Sequence, residues 1–344
     1  MIYIICPSHI ATGGTELLHQ LHYHLRELGV ESSMYYIGRF EGSPVQEKFY
    51  NIYKPVISSK IVDSKSNILI SPETHFVRMF KYIRIRKVCW WLSVDNFCGI
   101  VRKDETHINK IKHYLIRIWF DLKAKKFVHF VQSEYAKEYV HSTFGIEYKK
   151  IIKLSDYLND DYFNLDYFRF NNKKENQILY NPRKGFEFTK KIIDLMPDVK
   201  RVALQGFTNY ELLNLYLHSK IYIDFGNHPG KDRIPREAAI CGCCIITSKN
   251  GSAKNDYDIP IKDKYKFDAI ESNLSRIKEC INECLNNYEN CKKDFDDYRS
   301  IIASEKTEFV NQLKEIFLSN SIFWYFSFNF ICYISKIWNY DFFF

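Results

Sequence analysis

The chain has 344 residues, 46% hydrophobic and 26% charged, enough for two ordinary globular domains that each bury a core. Its 49 basic and 41 acidic side chains leave a formal charge of +8, which suits an anionic ligand or a membrane surface and is too weak for a dedicated nucleic-acid-binding protein. The 10 cysteines are scattered, which excludes a small disulfide framework; with no signal peptide ahead of them, they point to reduced thiols and a cytoplasmic setting.

Met1 to Cys6 is a short apolar run that predicts a strand. The breakers Pro7, Gly13 and Gly14 follow, and then Leu17, Leu18, Leu21, Leu25 and Leu28 recur at helical spacing until Gly29 closes the element. In the turn ATGGTE the two glycines let the backbone approach a ligand, and Glu16 falls in the first helical turn. Any tight strand-to-helix connection can use the same glycines. Further strands are predicted at Ser33 to Ile37, Asn67 to Ile70 and Lys87 to Ser93. The segment SPETHF, residues 71–76, lies just past a strand end, where open α/β sheets bind ligands. It offers Glu73 and His75 as a general acid or base, with His9 and His228 behind them, although a lone loop histidine is more often structural. Asp95 holds the same kind of position one strand later. A helix is expected between Asp104 and Lys126, with Ile111, Leu115 and Ile118 on one face; a strand at Phe127 to Ser133 and a helix at Glu134 to Phe144 follow.

From Ser155 to Gln177 the pattern dissolves into a stretch rich in Asp, Asn and Tyr, read as the passage between domains. The alternation then restarts with a strand at Ile178 to Tyr180, the turn NPRKG, a helix at Phe186 to Leu195, a strand at Arg201 to Gln205 and a helix at Asn209 to Ser219. Tyr222 to Thr247 reads as a βαβ unit, its loop broken by Gly226, Pro229 and Gly230 and its helix opened by Pro235. Helical residues return from Asn273 to Phe317. The expected organisation is a first Rossmann-like domain over 1–160, a linker over 161–177, a second such domain over 178–316 and a tail over 317–344. The tail is dense in aromatics, but Ser, Asn and Lys336 interrupt it below the length of a spanning helix, so packing or peripheral interfacial contact is favoured.

Two βαβ-rich halves place their strand-end loops toward a shared crevice, whose default ligand is a nucleotide or nucleotide-linked group. Arg183 and Lys184 lie between a strand and a helix, as do Lys231, Arg233 and Arg236. Cations at successive strand ends and a helix N-terminus suit a diphosphate; a solvated basic rim explains the same residues. Glu237, near the start of the helix opened by Pro235, suits either the ribose hydroxyls of a nucleotide or a stabilising acid at a helix N-terminus. The groups Cys280, Cys284, Cys291 and Cys241, Cys243, Cys244 lack zinc-site spacing and read as buried thiols. Asp256 with Asp258, and Asp294 with Asp296, match a DxD string without following a convincing strand, so no metal site is expected.

Taken in order, GGTE, NPRKGFEFTKK, LQGFTNYELLNLYLHSKIYIDFG and PREAAICGCCII resemble the successive landmarks of GT-B-fold glycosyltransferases. More narrowly, PETH, WWLSVDNF, HPGKDRIPREAA and GSAK are similar to a bacterial subgroup serving capsule and surface-polysaccharide synthesis. The resemblance spans Met1 to about Asp268. It implies an α/β protein of GT-B architecture, with two Rossmann-like parallel-sheet domains facing a central cleft and a helical, aromatic-rich C-terminal tail. It also implies a hexosyltransferase-type enzyme moving sugar from a nucleotide diphospho-sugar to a glycan or lipid-linked acceptor, without metal or covalent cofactor, at the inner face of a membrane. Gly13 and Gly14 would approach the donor phosphate or the acceptor. Arg183 and Lys184 would take the diphosphate, and Glu237, matching the second glutamate of the family's two-glutamate motif, would hold the ribose. His228, Gly230, Lys231, Asp232, Arg233 and Arg236 complete the implied donor set. Pro229 stands where the family has its first glutamate, and Val94 precedes Asp95 where the retaining branch often has histidine. With retention the departing phosphate accepts the acceptor's proton; with inversion Glu73, His75 or Asp95 must. A non-catalytic nucleotide-sugar-binding partner and a nucleotide-sugar epimerase of the same fold are the alternatives.

Overall fold

The computed structural model describes residues 1–97, 118, 120–163 and 173–319. Its strands form two separate sheets, and every pairing within them is parallel. Parallel strands covered on both faces read as continuous apolar runs, and the central strands here are such runs. Ile4, Ile5, Leu69, Ile70, Val88 and Trp90 in the first sheet, and Ile221, Tyr222, Ile223, Ile245 and Ile246 in the second, are fully buried.

The first unit comprises residues 1–132 and 136–155, and the end of the last described helix returns to it from Thr307. Its elements are β1 (Ile2–Pro7), α1 (Gly13–Glu27), β2 (Ser32–Ile37), α2 (Glu47–Tyr53), β3 (Ile68–Pro72), β4 (Arg86–Trp91), β5 (Val128–Val131), α3 (Glu134–Phe144) and β6 (Ile151–Lys153). The strand order is β2-β1-β3-β4-β5-β6. Two indoles of WWLS are tied into this core: Trp90 Nε1 donates to Leu154 O at 3.2 Å and Trp91 Nε1 to His129 Nδ1 at 3.0 Å. His129 in turn donates from Nε2 to Ala124 O, so the ring is neutral, and burial lowers its pKa to about 4. The strand β6 and the helix α2 carry too little periodicity to be found in the sequence.

The second unit runs from Asp156 to Lys306 and includes Ser133–Tyr135. It contains β7 (Glu175–Tyr180), α4 (Phe186–Asp194), β8 (Lys200–Ala203), α5 (Asn209–His218), β9 (Ser219–Asp224), α6 (Arg233–Ile240), β10 (Cys244–Ser248), β11 (Lys266–Phe267), α7 (Leu274–Asn286), α8 (Tyr288–Lys293) and most of α9 (Asp296–Leu313). Its order is β11-β10-β9-β7-β8. Thr208 starts α5 with a reciprocal cap: its hydroxyl accepts from Glu211 N, and the Glu211 carboxylate accepts from Thr208 N at 2.7 Å.

The helical residues expected over Asn273 to Phe317 are divided mainly among three helices. The run breaks at Asn287, whose φ of -120° and ψ of 39° leave the helix, and again before Asp296. Cys280 and Cys284 therefore share α7 while Cys291 sits on α8; all are buried. Neither DxD string gathers at a strand end. Asp258 accepts from the backbone N–H groups of Glu134 and Tyr135, Asp256 pairs with Lys266, and Asp294 with Lys264. Most of the helix expected over Asp104 to Lys126, and the tail beyond Ser319, lie outside the described residues. No described helix is long and apolar enough to cross a membrane.

Candidate functional site

Both sheets reverse the direction of chain progression once, between β1 and β3 in the first and between β7 and β9 in the second. At such a reversal the two strand-end loops leave in opposite directions, and the space beyond the strand C-termini is where open α/β sheets take ligands. Directly past the ends of β1, β3, β7 and β9 lie Gly13, Gly14, Glu73, His75, Arg183, Lys184 and the segment from Phe225 to Asp232. These residues lie past the strands of the two reversals, whereas Asp95 follows β4 and Arg233, Arg236 and Glu237 lie on α6.

In the second unit the β7–α4 turn and the β9–α6 loop touch backbone to backbone. Gly185 caps α4 with φ of 59°, and a Cβ there would lie 2.4 Å from Phe225 O and 2.6 Å from Gly226 N. A Cβ on Gly226 would in turn meet Lys184 Cβ at 2.3 Å. Only glycine fits either position. The loop is pinned on its other side by serines: Ser248 Oγ donates to Gly226 O at 2.7 Å and Ser252 Oγ to Gly230 O at 2.5 Å. Gly251 allows this, since a Cβ on it would fall 2.1 Å from His228 O. This accounts for the GSAK segment, which supplies Gly251 and Ser252.

The five cations have different fates. Arg183 is exposed, its N–H donating to Asn181 Oδ1 at 3.0 Å. Lys184 is one-third exposed, its Nζ 2.9 Å from Asp232 Oδ2. Arg233 approaches Glu237, Nε to Oε1 at 3.6 Å. Arg236 instead points into the unit, fully buried between Asp156 (Nη2 to Oδ2, 2.6 Å) and Glu305 on α9 (Nη1 to Oε2, 2.7 Å). It also donates from Nε to Asp232 O and from Nη2 to Lys231 O, closing the end of the loop. Lys231 joins the same cluster at 2.8 Å from Glu305 and 3.6 Å from Asp156. Burial opposes the charge on Asp156, but Arg236 and then Lys231 outweigh it and hold the carboxyl below its usual range. Arg236 and Lys231 are thus committed to a buried ion-pair cluster, whereas Arg183 is exposed and Lys184, paired with Asp232, stays one-third exposed.

His228 is fully buried between Asp232 (Nδ1 to Oδ2, 2.9 Å) and Asp224 (Nε2 to Oδ1, 4.0 Å). The close contact to Asp232 lies off the N–H line, so it is an ion pair rather than an aligned hydrogen bond. Burial disfavours the imidazolium, yet Asp232 and Asp224 together raise the pKa of His228. Ligand atoms of the three residues lie within 4.8 Å of one another, a composition a metal ion could use. The oxygens are already engaged, however: Asp224 accepts from Gly226 N and Tyr222 Oη, and Asp232 from Lys184. Glu237, on α6, is buried, and its Oε2 accepts from Tyr216 Oη at 3.2 Å. Nothing local in the chain marks Tyr216, Asp156 or Glu305 as partners. A charged Arg236 among the apolar Ala238 and Ala239 of a buried helix signals a buried acid somewhere, but not which one.

In the first unit Gly13 and Gly14 begin α1 itself rather than a preceding turn, with Thr12 as N-cap. A Cβ on Gly14 would make an ordinary 3.6 Å contact with Leu92, so close backbone approach does not by itself demand glycine there. Glu16 is buried and accepts from Tyr53 Oη at 3.0 Å. His9 lines a cavity of about 670 Å3 with Arg39, Phe40 and Glu41. Glu73 begins a 3-10 helix directly after β3; it is 1% exposed, and its Oε2 accepts from Leu92 N at 2.8 Å. Burial outweighs that bond and pushes its pKa up to about 8. At neutral pH Glu73 is therefore protonated and enclosed, a brace between the ends of β3 and β4 rather than a proton acceptor. His75 is partly exposed, its Nδ1 2.8 Å from Thr74 Oγ1, and burial lowers its pKa, leaving a neutral imidazole. Asp95 is also partly exposed.

The raised pKa of Glu73 has a measurable consequence. Unfolded, the carboxyl loses its proton near pH 4.3; folded, it keeps it to about pH 8, so the stability it contributes is present below the first value and is lost as pH rises through the window. Thermal melts should show stability falling between about pH 5 and pH 8 by up to about 1.4 kcal/mol per unit, and Glu73→Gln should flatten that slope. An unchanged slope in the variant would refute the assignment.

No protein-family profile matches the chain, and no curated protein matches it significantly. Solved structures do resemble it. HepE from Anabaena, crystallised in complex with UDP, superposes with a TM-score of 0.64 at 11% identity over 93% of this chain and 100% of that one. A glycosyltransferase from Rickettsia africae gives 0.61 at 13% identity, covering 94% and 98%, and sucrose-phosphate synthase from Thermosynechococcus elongatus gives 0.61 at 10%, covering 92% and 98%. With its two Rossmann-like parallel sheets of six and five strands, the chain has the fold of these GT-B glycosyltransferases.

Proposed function

We propose that the chain is a glycosyltransferase that moves a sugar from a nucleotide diphospho-sugar to a glycan or lipid-linked acceptor of a surface polysaccharide. The observation that carries this reading is the glycine-locked pair of loops at the β7/β9 reversal, which presents Arg183 and Lys184 beside the N-terminus of α4. HepE, similar in fold, has been crystallised with UDP and with UDP-glucose. In this reading Arg183 and Lys184 face the diphosphate and Glu237, oriented by Tyr216, faces the ribose. As the bond from the anomeric carbon to the phosphate oxygen breaks, negative charge grows on the leaving diphosphate. The two cations and the N–H groups opening α4 stabilise that charge, and no metal is required of them. Retention lets the departing phosphate take the acceptor's proton. Inversion needs a base, for which neutral His75 or Asp95 suits better than protonated Glu73. The narrower assignments, to capsule-type polysaccharides and to a peripheral site at the inner membrane face, rest on the motifs PETH and HPGKDRIPREAA and on the aromatic sequence 320–344.

A panel of UDP-, GDP-, CMP- and dTDP-sugars tests the reading and names the base. At least one should raise the melting temperature, and Glu237→Ala, with Glu237→Gln as the milder variant, should abolish the rise. Absence of stabilisation by every sugar nucleotide and free nucleotide would refute it. A second reading, a non-catalytic nucleotide-sugar-binding partner, is favoured by Pro229 in place of a carboxylate. It predicts the same thermal shift with no release of nucleotide diphosphate when acceptor glycans are supplied.

A further inference from the structure

At the opposite end of the second sheet the structure holds a second basic cavity, of about 660 Å3. Its walls come from the residues just before β7, from the start of β9, from the turn before β10 and from the α7–α8 junction. It opens at the strand N-termini, whereas Arg183 and Lys184 follow the strand C-termini, a six-residue strand or about 20 Å away. Lys173, Lys174, Lys220, Lys292 and Arg299 line it against one acid, Glu289.

Arg299 pairs with Asp296, but the way the four lysines are balanced sets the cavity apart. Elsewhere in the unit lysines pair with carboxylates: Lys184 with Asp232, Lys190 with Asp194, Lys200 with Glu175 and Lys306 with Asp160. Among the described residues, none of the four cavity lysines has a carboxylate within ion-pair distance. Lys174 is held by three backbone carbonyls, of Tyr216, Ser219 and Cys241, at 2.7 to 3.0 Å. Lys220 donates to Asn176 Oδ1 and Leu285 O. Carbonyls fix an ammonium in place without cancelling its charge, so Lys174 and Lys220 are held as unpaired charges in the cavity wall. Lys173 is exposed and Lys292 partly so, which leaves both able to close on a ligand.

From this arrangement we propose that the cavity is a second anion site of the chain, taking a phosphate-bearing ligand remote from the sugar-nucleotide loops. Four lysines without an ion-paired carboxylate suit an anionic phosphate group, whether it belongs to a soluble metabolite or to a phosphodiester lipid headgroup.

The test uses the full chain carrying Arg183→Ala and Lys184→Ala, so that the strand C-terminal loops do not contribute. Inorganic pyrophosphate is titrated calorimetrically at low ionic strength, and co-sedimentation is measured with phosphatidylglycerol vesicles against phosphatidylcholine vesicles. The measurements are repeated after adding Lys173→Glu and Lys292→Glu, which leave the structural Lys174 and Lys220 in place. A tenfold or greater loss of pyrophosphate affinity supports the site with a soluble ligand. Loss of phosphatidylglycerol binding with pyrophosphate binding absent throughout supports it with a lipid headgroup. Neither binding changing, or neither existing before the charge reversal, overturns the proposal. Should the reversed variant melt well below its parent, Lys173→Gln with Lys292→Gln is read by the same criteria.

Discussion

Arg236→Ala is expected to destabilise the second unit by about 3–5 kcal/mol, the cost typical of breaking a buried ion pair by removing one partner. The guanidinium is fully buried and bonded to Asp156 at 2.6 Å and Glu305 at 2.7 Å. Its removal leaves two carboxylates facing each other with only Lys231 between them. It also frees the carbonyls of Lys231 and Asp232, which the same side chain holds. Because the cluster is shielded from solvent, added salt should restore little of the loss. For a unit of this size the melting temperature should fall by about 10 °C or more, read by calorimetry. The quadruple variant Asp156→Asn, Glu305→Gln, Arg236→Met, Lys231→Met removes the charges together and should lose less than Arg236→Ala alone. If Arg236→Ala costs under about 1 kcal/mol, the cluster is not the anchor of the α6 loop described above.

Gly185→Ala should be the more selective lesion. Its φ of 59° would strain an alanine by about 1–2 kcal/mol. Gly206→Ala, at φ of 82° with nothing within 4 Å of the new Cβ, measures that strain alone. At Gly185 the Cβ also falls 2.4 Å from a backbone oxygen, which cannot rotate away as a side chain would. The β7–α4 turn must then separate from the β9–α6 loop. Gly185→Ala is therefore expected to lose more stability than Gly206→Ala and, in addition, to abolish any thermal stabilisation by sugar nucleotides that the parent shows. Equal melting temperatures for the two variants, with ligand stabilisation intact in both, would show that the backbone contact is dispensable.

The loops that carry the candidate residues were legible where the signal is local. The loops of NPRKG and HPGKDRIPREAA are marked by breakers between an apolar run and a helix, and the structure places both at strand C-termini. Side-chain fate was less legible. Lys231, Arg233 and Arg236 look alike as a basic loop, yet Lys231 and the fully buried Arg236 are drawn into one cluster with distant acids while Arg233 is paired along its own helix. Asp156 and Glu305 stand 80 and 69 residues from Arg236, in segments whose sequence carries no mark of a buried acid. Glu73 likewise reads as a solvent-facing acid past a strand, and only packing against the end of β4 encloses and protonates it.

The sequence by itself determined the alternation of strands and helices, the positions of the glycine turns and the set of polar groups at the strand ends, because each follows from local backbone preference and hydrophobic period. Tertiary structure alone decided the strand order that brings β7 beside β9, the backbone contact that requires Gly185 and Gly226, and the division of the cations into buried anchors and more exposed charges. Those outcomes depend on which distant residues meet, and a side chain's charge and exposure are set by its neighbours in space rather than by its neighbours in the chain.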